Sequence, residues 1–115
     1  MVYVKIENGY GGVFAKENFL LGELVYDLTR SKTVKTPTRT SIQVGEESHI
    51  EDEVGQYINH SCSPTCEITN YGVRALRDIK VNDEITFNYN SSEDTLANPF
   101  KCSCCGKMIT GRKNE

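Results

Sequence analysis

Apolar and polar residues alternate at the start of the chain, and this pattern predicts a β-strand. Over residues 2–7, Val, Val and Ile alternate with Tyr, Lys and Glu, the period of two that buries one face of a strand. A glycine-rich segment at residues 9–12 is expected to break this strand in a turn, because glycine adopts backbone angles closed to other residues. Short apolar runs at residues 13–15 and 19–28 predict further strands.

The middle of the chain is also predicted to be rich in β-structure. Residues 29–40 have the polar composition of an exposed loop, and the acidic run at residues 45–53 is typical of a solvated surface. Turns at residues 70–72 and 81–83 separate further strands, and residues 84–89 place Ile85, Phe87 and Tyr89 on one face. No window has a sustained helical period, so we expect few and short helices, with residues 92–97 the best candidate.

Length and composition indicate a single soluble globular domain. The chain has 115 residues, of which 37% are hydrophobic, and independent domains usually have roughly 100–150 residues. Its 13 basic and 16 acidic residues give a formal charge of −3, which argues against direct nucleic-acid binding. No apolar run could span a membrane and no signal peptide is recognisable, so we expect an intracellular protein, cytoplasmic or, in a eukaryote, nuclear, without membrane contact.

The five cysteines are arranged unlike a disulfide framework. Cys102, Cys104 and Cys105 fall within four residues, while Cys62 and Cys66 lie far upstream. An odd number of cysteines with three so closely spaced indicates metal ligands or buried thiols in a reducing compartment. The spacing leaves both alternatives open.

A run of polar residues at positions 56–65 is the most informative segment. It contains Asn59, His60, Ser61 and Cys62 directly after an apolar pair, and buried polar atoms each need a partner. Taken singly, His60 fits a hydrogen-bonded core histidine and Cys62 an inert thiol. Together with the glycine-rich segment and the strand that ends at Tyr89, the run indicates a functional site.

In this order, these segments resemble the SET-domain family of S-adenosylmethionine-dependent protein-lysine methyltransferases. The resemblance is carried by the glycine-rich segment before residues 13–15, by residues 22–25, by Asn-His-Ser-Cys with Pro64, by residues 84–89 and by the cysteine-containing tail. It implies a mainly β fold, the SET (β-clip) domain, with small sheets, few short helices and a knot-like C-terminal crossing. It also implies a SET domain over residues 1–98 and a post-SET-like tail over residues 99–115.

The resemblance implies roles for particular residues. Tyr89 matches the family's catalytic tyrosine, and its neutral phenol would orient the lysine amine rather than act as a base. Methyl transfer is an in-line displacement, so the protein must mainly position donor and acceptor and exclude water. The residues implied in binding S-adenosylmethionine are Tyr10, Gly11, Gly12, Asn59, His60, Tyr89 and Phe100.

The family's zinc site takes one cysteine from the Asn-His-Ser-Cys segment and three from the tail. Here the usual third tail position is Ile109. Either Cys105 replaces it, so that the zinc ligands are Cys62, Cys102, Cys104 and Cys105, or the fourth ligand is absent. Cys66 is a spare candidate that fits a buried strand thiol better.

The chain departs from the family pattern in two further places. Tyr10 stands where the first glycine of the family's turn is expected, and residues 40–44 lack the family's second tyrosine, which leaves the number of methyl groups added open. The segment at residues 27–54 is also short for one wall of the substrate groove. A second subunit or the substrate could complete that wall, so an oligomer is possible; full activity of a monomer would count against the subunit version.

The resemblance implies methyl transfer to a lysine of a basic protein or peptide, such as a histone or histone-like protein, which would suit the acidic residues 46–53. The alternative is a catalytically inactive SET-like module that binds proteins. It is favoured by the incomplete tail and the absent second tyrosine, whereas Asn59 and Tyr89 favour the enzyme. A small cysteine-rich zinc adaptor fits less well, because the cysteines occupy mainly one end of a β-patterned chain.

Overall fold

Short β-strands make up most of the regular structure. The computed structural model describes residues 1–38, 40–45, 48–93, 96, 99–102 and 106–111. Within these residues the strands are β1 (Val2–Glu7), β2 (Tyr10–Ala15), β3 (Leu24–Asp27), β4 (Lys32–Val34), β5 (Ile42–Gly45), β6 (Ser48–Glu51), β7 (Asn59–His60), β8 (Cys66–Thr69), β9 (Gly72–Ala75), β10 (Glu84–Phe87), β11 (Phe100–Lys101) and β12 (Met108–Ile109). A 3-10 helix at Gly55–Tyr57 and the helix α1 at Tyr89–Ser92 are both single turns.

The strands form small sheets, which confirms the predicted mainly β class. One sheet has the order β1-β2-β10-β7, and two three-stranded sheets have the orders β3-β9-β8 and β4-β6-β5, while β11 pairs with β12. No helix in the described part of the chain combines the length and the apolar character needed to cross a membrane.

The first hairpin turns more tightly than the glycine pattern predicted. Its turn is made by Asn8 and Gly9, both at positive φ, and the next residues continue as β2 in register with β1. The prediction that residues 9–12 form one turn is therefore wrong for Tyr10, Gly11 and Gly12. Glycine suits position 11 of this strand because a neighbouring ring occupies the space of a side chain. A Cβ on Gly11 would lie 2.5 Å from Cδ1 of Tyr57.

The hydrophobic core lies between the sheets and is built from branched aliphatic residues. The largest fully buried side chains are those of Leu28, Ile50, Ile79, Ile85, Ile109, Val13 and Val73, together with Cys66. The strand β10 is buried on both faces, because its residues Ile85, Thr86 and Phe87 are all at most 8% exposed. Ile6, by contrast, is 57% exposed, so the alternation in β1 predicted the strand but not the burial of its far end.

Two polar segments were predicted incompletely. Residues 29–40, predicted as an exposed loop, contain the strand β4, which pairs with β6 of the supposedly solvated acidic segment. The helix expected at residues 92–97 instead begins at Tyr89 and ends at Ser92; residues 94, 95 and 97 lie outside the described part. The helix starts at Tyr89 because the side chain of Asn88 accepts the backbone N–H of Asn90 at 2.9 Å and caps it.

A parallel pairing brings the polar run of the sequence beside β10. Asn59 lies opposite Thr86 and His60 opposite Phe87, and the backbone N–H of Ser61 also donates to the carbonyl of Phe87. The two segments thus lie side by side in the same direction. This pairing places Asn59 and His60 beside the strand that leads to Tyr89.

Candidate functional site

A cleft of about 850 Å³ opens where β2, β7, β10 and the 3-10 helix meet. Six of the seven residues that the sequence predicted for cofactor binding line it: Tyr10, Gly11, Asn59, His60, Tyr89 and Phe100. Gly12 lies one residue further along β2, where a Cβ would come within 3.2 Å of a carboxylate oxygen of Glu84. The remaining wall is formed by Thr38, Thr40, Ser41, Ile42, Gly55, Gln56, Tyr57, Ile58, Glu84, Phe87, Glu93, Leu96 and Pro99.

Asn59 is held rigidly at the wall of the cleft. Its amide nitrogen donates to the carbonyl of Gly11 at 2.9 Å and to a carboxylate oxygen of Glu84 at 2.8 Å. Both hydrogens of the amide are then engaged, and the side-chain oxygen remains as the acceptor. Asn59 therefore presents an oxygen acceptor to a ligand, next to the negative charge of Glu84.

Tyr89 lies at the junction between the walls and is held at both ends. Its hydroxyl donates to the carbonyl of Ile58 at 2.6 Å, and its backbone N–H donates to Nδ1 of His60 at 3.0 Å. Burial raises the pKa of the Tyr89 phenol, and the charges of Glu93 and Glu84 raise it further. The phenol is neutral at physiological pH, so it can orient a ligand by hydrogen bonding but cannot serve as a base.

Three rings form a cluster at one side of the cleft. His60 meets Tyr89 edge-on at 5.2 Å between ring centroids and meets Phe100 at 5.8 Å, and Tyr89 and Phe100 are 5.9 Å apart. Edge-to-face contacts of this kind add to the energy of simple burial. The tail strand β11 is thereby attached to β7 and to the segment that follows β10.

The cysteines from the two ends of the predicted zinc site meet behind this cluster. The sulfur atoms of Cys62 and Cys102 are 3.4 Å apart, and Nε2 of His60 lies 3.4 Å from the sulfur of Cys62. The ligand atoms of His60, Cys62 and Cys102 all lie within 4.8 Å of one another, so this group could hold a metal ion. Cys104 and Cys105 lie outside the described residues.

Two other positions considered for the zinc site, Ile109 and Cys66, are buried in the hydrophobic core. Ile109 is fully buried and pairs with Phe100 between β12 and β11, so the usual third cysteine position is a core residue here. Cys66 is fully buried in β8, and burial raises the pKa of its thiol to about 11. Cys66 is the buried strand thiol that its sequence context favoured.

The sequence of this chain matches a known protein family over the segments that form the cleft. Residues 11–90, most of the chain, match the SET domain. The chain belongs to the SET domain family. This match covers the residues that form the cleft from Gly11 to Tyr89.

Several relatives of the SET domain are methyltransferases by name. The methyltransferase flvH of Aspergillus flavus is 38% identical over 81% of this chain and 57% of its own length. The histone-lysine N-methyltransferase Suv4-20 of Caenorhabditis elegans is 47% identical over 44% of this chain and 19% of its own. The chain thus spans only part of the length of these curated relatives.

A solved structure has the same fold. The crystal structure of a candidate histone methyltransferase of Plasmodium falciparum superimposes with a TM-score of 0.61 at 22% identity, covering 79% of this chain and 94% of that chain. At this identity the likeness establishes the fold alone. It agrees with the SET fold predicted from the sequence.

The SET domain also uses two acidic residues that sequence reasoning did not single out. Glu93 is only 3% exposed and accepts the backbone N–H of Gln43 at 2.7 Å, which joins the segment after α1 to β5 across the cleft. Glu84 was noted only as the start of a strand, yet it binds Asn59. The sequence signal for Glu84 was its position directly after a turn, as the first residue of a strand whose other residues are buried.

Asp52 was assigned to a solvated acidic surface, and this prediction is wrong. Its half-buried carboxylate accepts hydrogen bonds from the hydroxyls of Tyr26 and Ser31 and from the backbone N–H groups of Val54 and Gly55, at 2.7–3.0 Å. Partial burial by itself raises the pKa of Asp52, but these hydrogen bonds outweigh it and lower the pKa below its usual value. The carboxylate thus fixes the start of the 3-10 helix that leads to Asn59.

Residues near position 40 line one side of the cleft with hydroxyl groups. Thr38 and Thr40 donate to one carboxylate oxygen of Glu51 at 2.9 and 2.8 Å, and both threonines and Ser41 line the cleft. The absence of a tyrosine at residues 40–44 therefore leaves a polar wall of small side chains.

Proposed function

We propose that this SET domain transfers a methyl group from S-adenosylmethionine to the side-chain amine of a lysine in a basic protein. The observation that carries the proposal is the neutral, doubly anchored Tyr89 in a cleft of about 850 Å³ that also holds Asn59 and His60. The size of the cleft is within the roughly 300–1,000 Å³ of small-molecule sites. The names of the relatives favour the same chemistry.

The residues of the cleft fit S-adenosylmethionine at one end. The oxygen of Asn59 can accept a hydrogen bond from the ammonium of the cofactor, and Glu84 beside it supplies a compensating negative charge. The exposed ring of Tyr10 and the ring of Phe100 border this part of the cleft and offer faces for an adenine. When bound, S-adenosylmethionine supplies an electrophilic methyl group on its sulfonium sulfur.

The part of Tyr89 in the reaction is positioning. Because its hydroxyl hydrogen is donated to Ile58, the phenol oxygen keeps lone pairs that can accept a hydrogen bond from the incoming amine. The rings of Phe87 and Tyr57 border the same cleft and disfavour the ammonium form of an entering lysine by desolvation, whereas the carboxylates of Glu84 and Glu93 favour it. The amine is nucleophilic once it has lost its proton, and the cleft would hold it in line with the methyl group.

The charge of the cleft supports a basic substrate such as a histone or histone-like peptide. Glu84 and Glu93 line it, and none of the described lining residues is a lysine or arginine. Glu51, bonded to the threonine wall, adds a third carboxylate near the opening. An acidic opening attracts a basic peptide by long-range electrostatics. A histone substrate would place the protein in a nucleus.

We also propose that Cys62 and Cys102 bind zinc together with Cys104 and Cys105, in a tail at residues 99–115 that follows a SET domain of residues 1–98. The sulfur distance of 3.4 Å and the mixture of one upstream cysteine with tail cysteines support this. Zinc here would be structural: it would attach the tail, and with it Phe100, to the cleft.

The test is methyl transfer from labelled S-adenosylmethionine to a histone mixture and to a cell lysate. Wild-type protein should label lysine, identified by mass spectrometry, and Tyr89→Phe should lower turnover by about 100-fold, since removal of one preorganised hydrogen-bonding group costs roughly 10²–10³. Tyr71→Phe is the matched control, because Tyr71 lies in the β8–β9 turn outside the cleft. No labelled lysine from zinc-loaded protein that binds the cofactor would favour the inactive binding module.

A further inference from the structure

His60 lies between the backbone of Tyr89 and the cysteine pair. Its Nδ1 accepts the backbone N–H of Tyr89 at 3.0 Å, while its Nε2 lies 3.4 Å from the sulfur of Cys62. The sulfur of Cys62 in turn is 3.4 Å from that of Cys102. A continuous chain of polar contacts therefore connects the cysteine pair with the main chain of the proposed catalytic residue.

The contact with Tyr89 decides which nitrogen of His60 carries the hydrogen. A nitrogen that accepts an N–H must present a lone pair, so Nδ1 is unprotonated and the neutral ring carries its hydrogen on Nε2. Nε2 then donates to the sulfur of Cys62. Although the ligand atoms of His60, Cys62 and Cys102 all lie within 4.8 Å of one another, the ring is arranged as a donor to the thiol and not as a metal ligand.

A metal at the cysteine pair strengthens this contact. Metal binding keeps Cys62 as a thiolate, and a hydrogen bond to an ionised acceptor is about twice as strong as one to a neutral acceptor. The ring is also restrained by its edge contacts with Tyr89 and Phe100, so it has little freedom to move away. A metal bound at Cys62 would therefore restrain the ring, and the ring would restrain the backbone of Tyr89.

We propose that His60 is a positioning residue that couples metal binding at Cys62 and Cys102 to the placement of Tyr89. The inference rests on the proposed function, because the placement of Tyr89 matters only if Tyr89 orients the lysine amine. An outer-shell group that hydrogen-bonds a metal ligand, as His60 does Cys62, usually contributes to metal affinity, and its loss costs about 10–100-fold. His60 would then affect metal affinity without being a ligand.

Two substitutions separate the two contacts of His60. In His60→Asn, the side-chain oxygen is as many bonds from Cα as Nδ1 and can still accept the Tyr89 N–H, but the donor to Cys62 is lost. In His60→Gln, the amide nitrogen is as many bonds from Cα as Nε2 and can still donate to Cys62, but the acceptor for Tyr89 is lost. The measurements are zinc affinity by chelator competition and hydrogen exchange of the Tyr89 amide with and without zinc.

The expected results differ between the two variants. In wild-type protein, zinc should slow exchange at Tyr89 more than at Val73, a buried core amide in β9. His60→Asn should weaken zinc binding about 10–100-fold and abolish the zinc response of Tyr89. His60→Gln should keep most of the zinc affinity and expose the Tyr89 amide to rapid exchange whether zinc is present or not.

Three results would overturn the inference. One is a wild-type Tyr89 amide that does not respond to zinc, and another is an unchanged zinc response in His60→Asn. The third is a cobalt(II)-substituted spectrum that loses a nitrogen ligand in both variants, because His60 would then bind the metal directly. None of these readouts requires turnover, so they are independent of whether methyl transfer is observed.

Discussion

At the scale of single residues, the polar atoms of the cleft already have fixed partners. The amide group of Asn59 donates to the carbonyl of Gly11 and to Glu84. The hydroxyl of Tyr89 donates to the carbonyl of Ile58. Side chains fixed in this way need little reorganisation when a ligand binds, which saves entropy at the moment of binding. The motif predicted Asn59 and Tyr89, but Glu84 as the partner follows only from the fold.

Removal of the Asn59 side chain should weaken cofactor binding without loss of the fold. Asn59→Ala leaves the Gly11 carbonyl and Glu84 without this donor and removes one acceptor for the cofactor, so we expect the Kd for S-adenosylmethionine to rise by about tenfold or more, as titration calorimetry can measure. Asn18→Ala is the control, since the Asn18 side chain also bonds the main chain, by accepting the N–H of Val81, but lies outside the cleft. Equal affinities in both variants would contradict the assignment.

A methyl group on Gly11 should disturb the same site by steric means. The new Cβ would lie 2.5 Å from Cδ1 of Tyr57, so either the ring or β2 must shift. We expect Gly11→Ala to cost about 1–3 kcal/mol in urea unfolding and to weaken cofactor binding. Gly45→Ala is matched in chemistry, but its Cβ would meet nothing closer than 3.7 Å, and it should unfold like the wild type. Unchanged stability of Gly11→Ala would show that the ring moves away freely.

At the scale of elements, the site depends on how a short 3-10 helix is fixed before β7. Asp52 accepts the N–H groups of Val54 and Gly55 at the start of this helix and binds Tyr26 in β3. The helix then leads directly to Ile58, which accepts the Tyr89 hydroxyl, and to Asn59 in the parallel pairing with β10. A shift of this single helical turn would displace both Ile58 and Asn59, and with them their contacts with Tyr89 and β10.

Asp52→Asn should therefore reduce stability in a pH-dependent way. The hydrogen bonds lower the pKa of Asp52 in the folded state, so its contribution is present above the unfolded pKa of about 3.9 and is lost as pH falls through the folded value. At pH 7 we expect a loss of about 1–3 kcal/mol in urea unfolding, and the difference from the wild type should shrink in acid. Glu53→Gln, at an exposed neighbour, is the control. A difference that stayed constant down to pH 2 would contradict this account.

At the scale of the whole molecule, the chain closes on itself through contacts between distant segments. Cys62 and Cys102 are 40 residues apart in sequence and 3.4 Å apart in space. Ile109 is packed in the core beside the strand that carries Phe100, so the tail is attached by apolar burial as well as through its cysteine. A metal at the cysteine pair would bind the folded state and so stabilise the whole domain.

Zinc should raise the thermal midpoint of the wild-type protein, and Cys62→Ser should remove this effect. At free zinc of 100 times Kd, the stabilisation is about 2.7 kcal/mol, which calorimetry can detect. Cys66→Ser is the control: Cys66 lies buried in β8, so its loss should lower stability while the bound zinc, measured by mass spectrometry of metals, stays unchanged. Loss of zinc from Cys66→Ser but not from Cys62→Ser would show that Cys62 is not a zinc ligand.

The sequence by itself determined the mainly β class and several of the strands. Alternation and turn residues are local signals, and they predicted β1, β8, β9 and β10. The Asn-His-Ser-Cys run and residues 84–89 gave the candidate site residues, but the strand predicted to reach Tyr89 ends at Phe87, and Tyr89 begins α1. The boundary between SET domain and tail and the individual roles of the site residues stay predictions.

Only the tertiary structure decided which of these residues touch. The burial of Asp52 and Glu93, the place of Gly11 inside a strand against Tyr57, and the contact of His60 with Cys62 depend on how the walls close. Glu93 meets Gln43 across 50 residues of sequence, and His60 meets Tyr89 across 29. Hydrophobic period and turn propensity act over a few residues, whereas such contacts are selected by the packing of the complete core, which no local pattern contains.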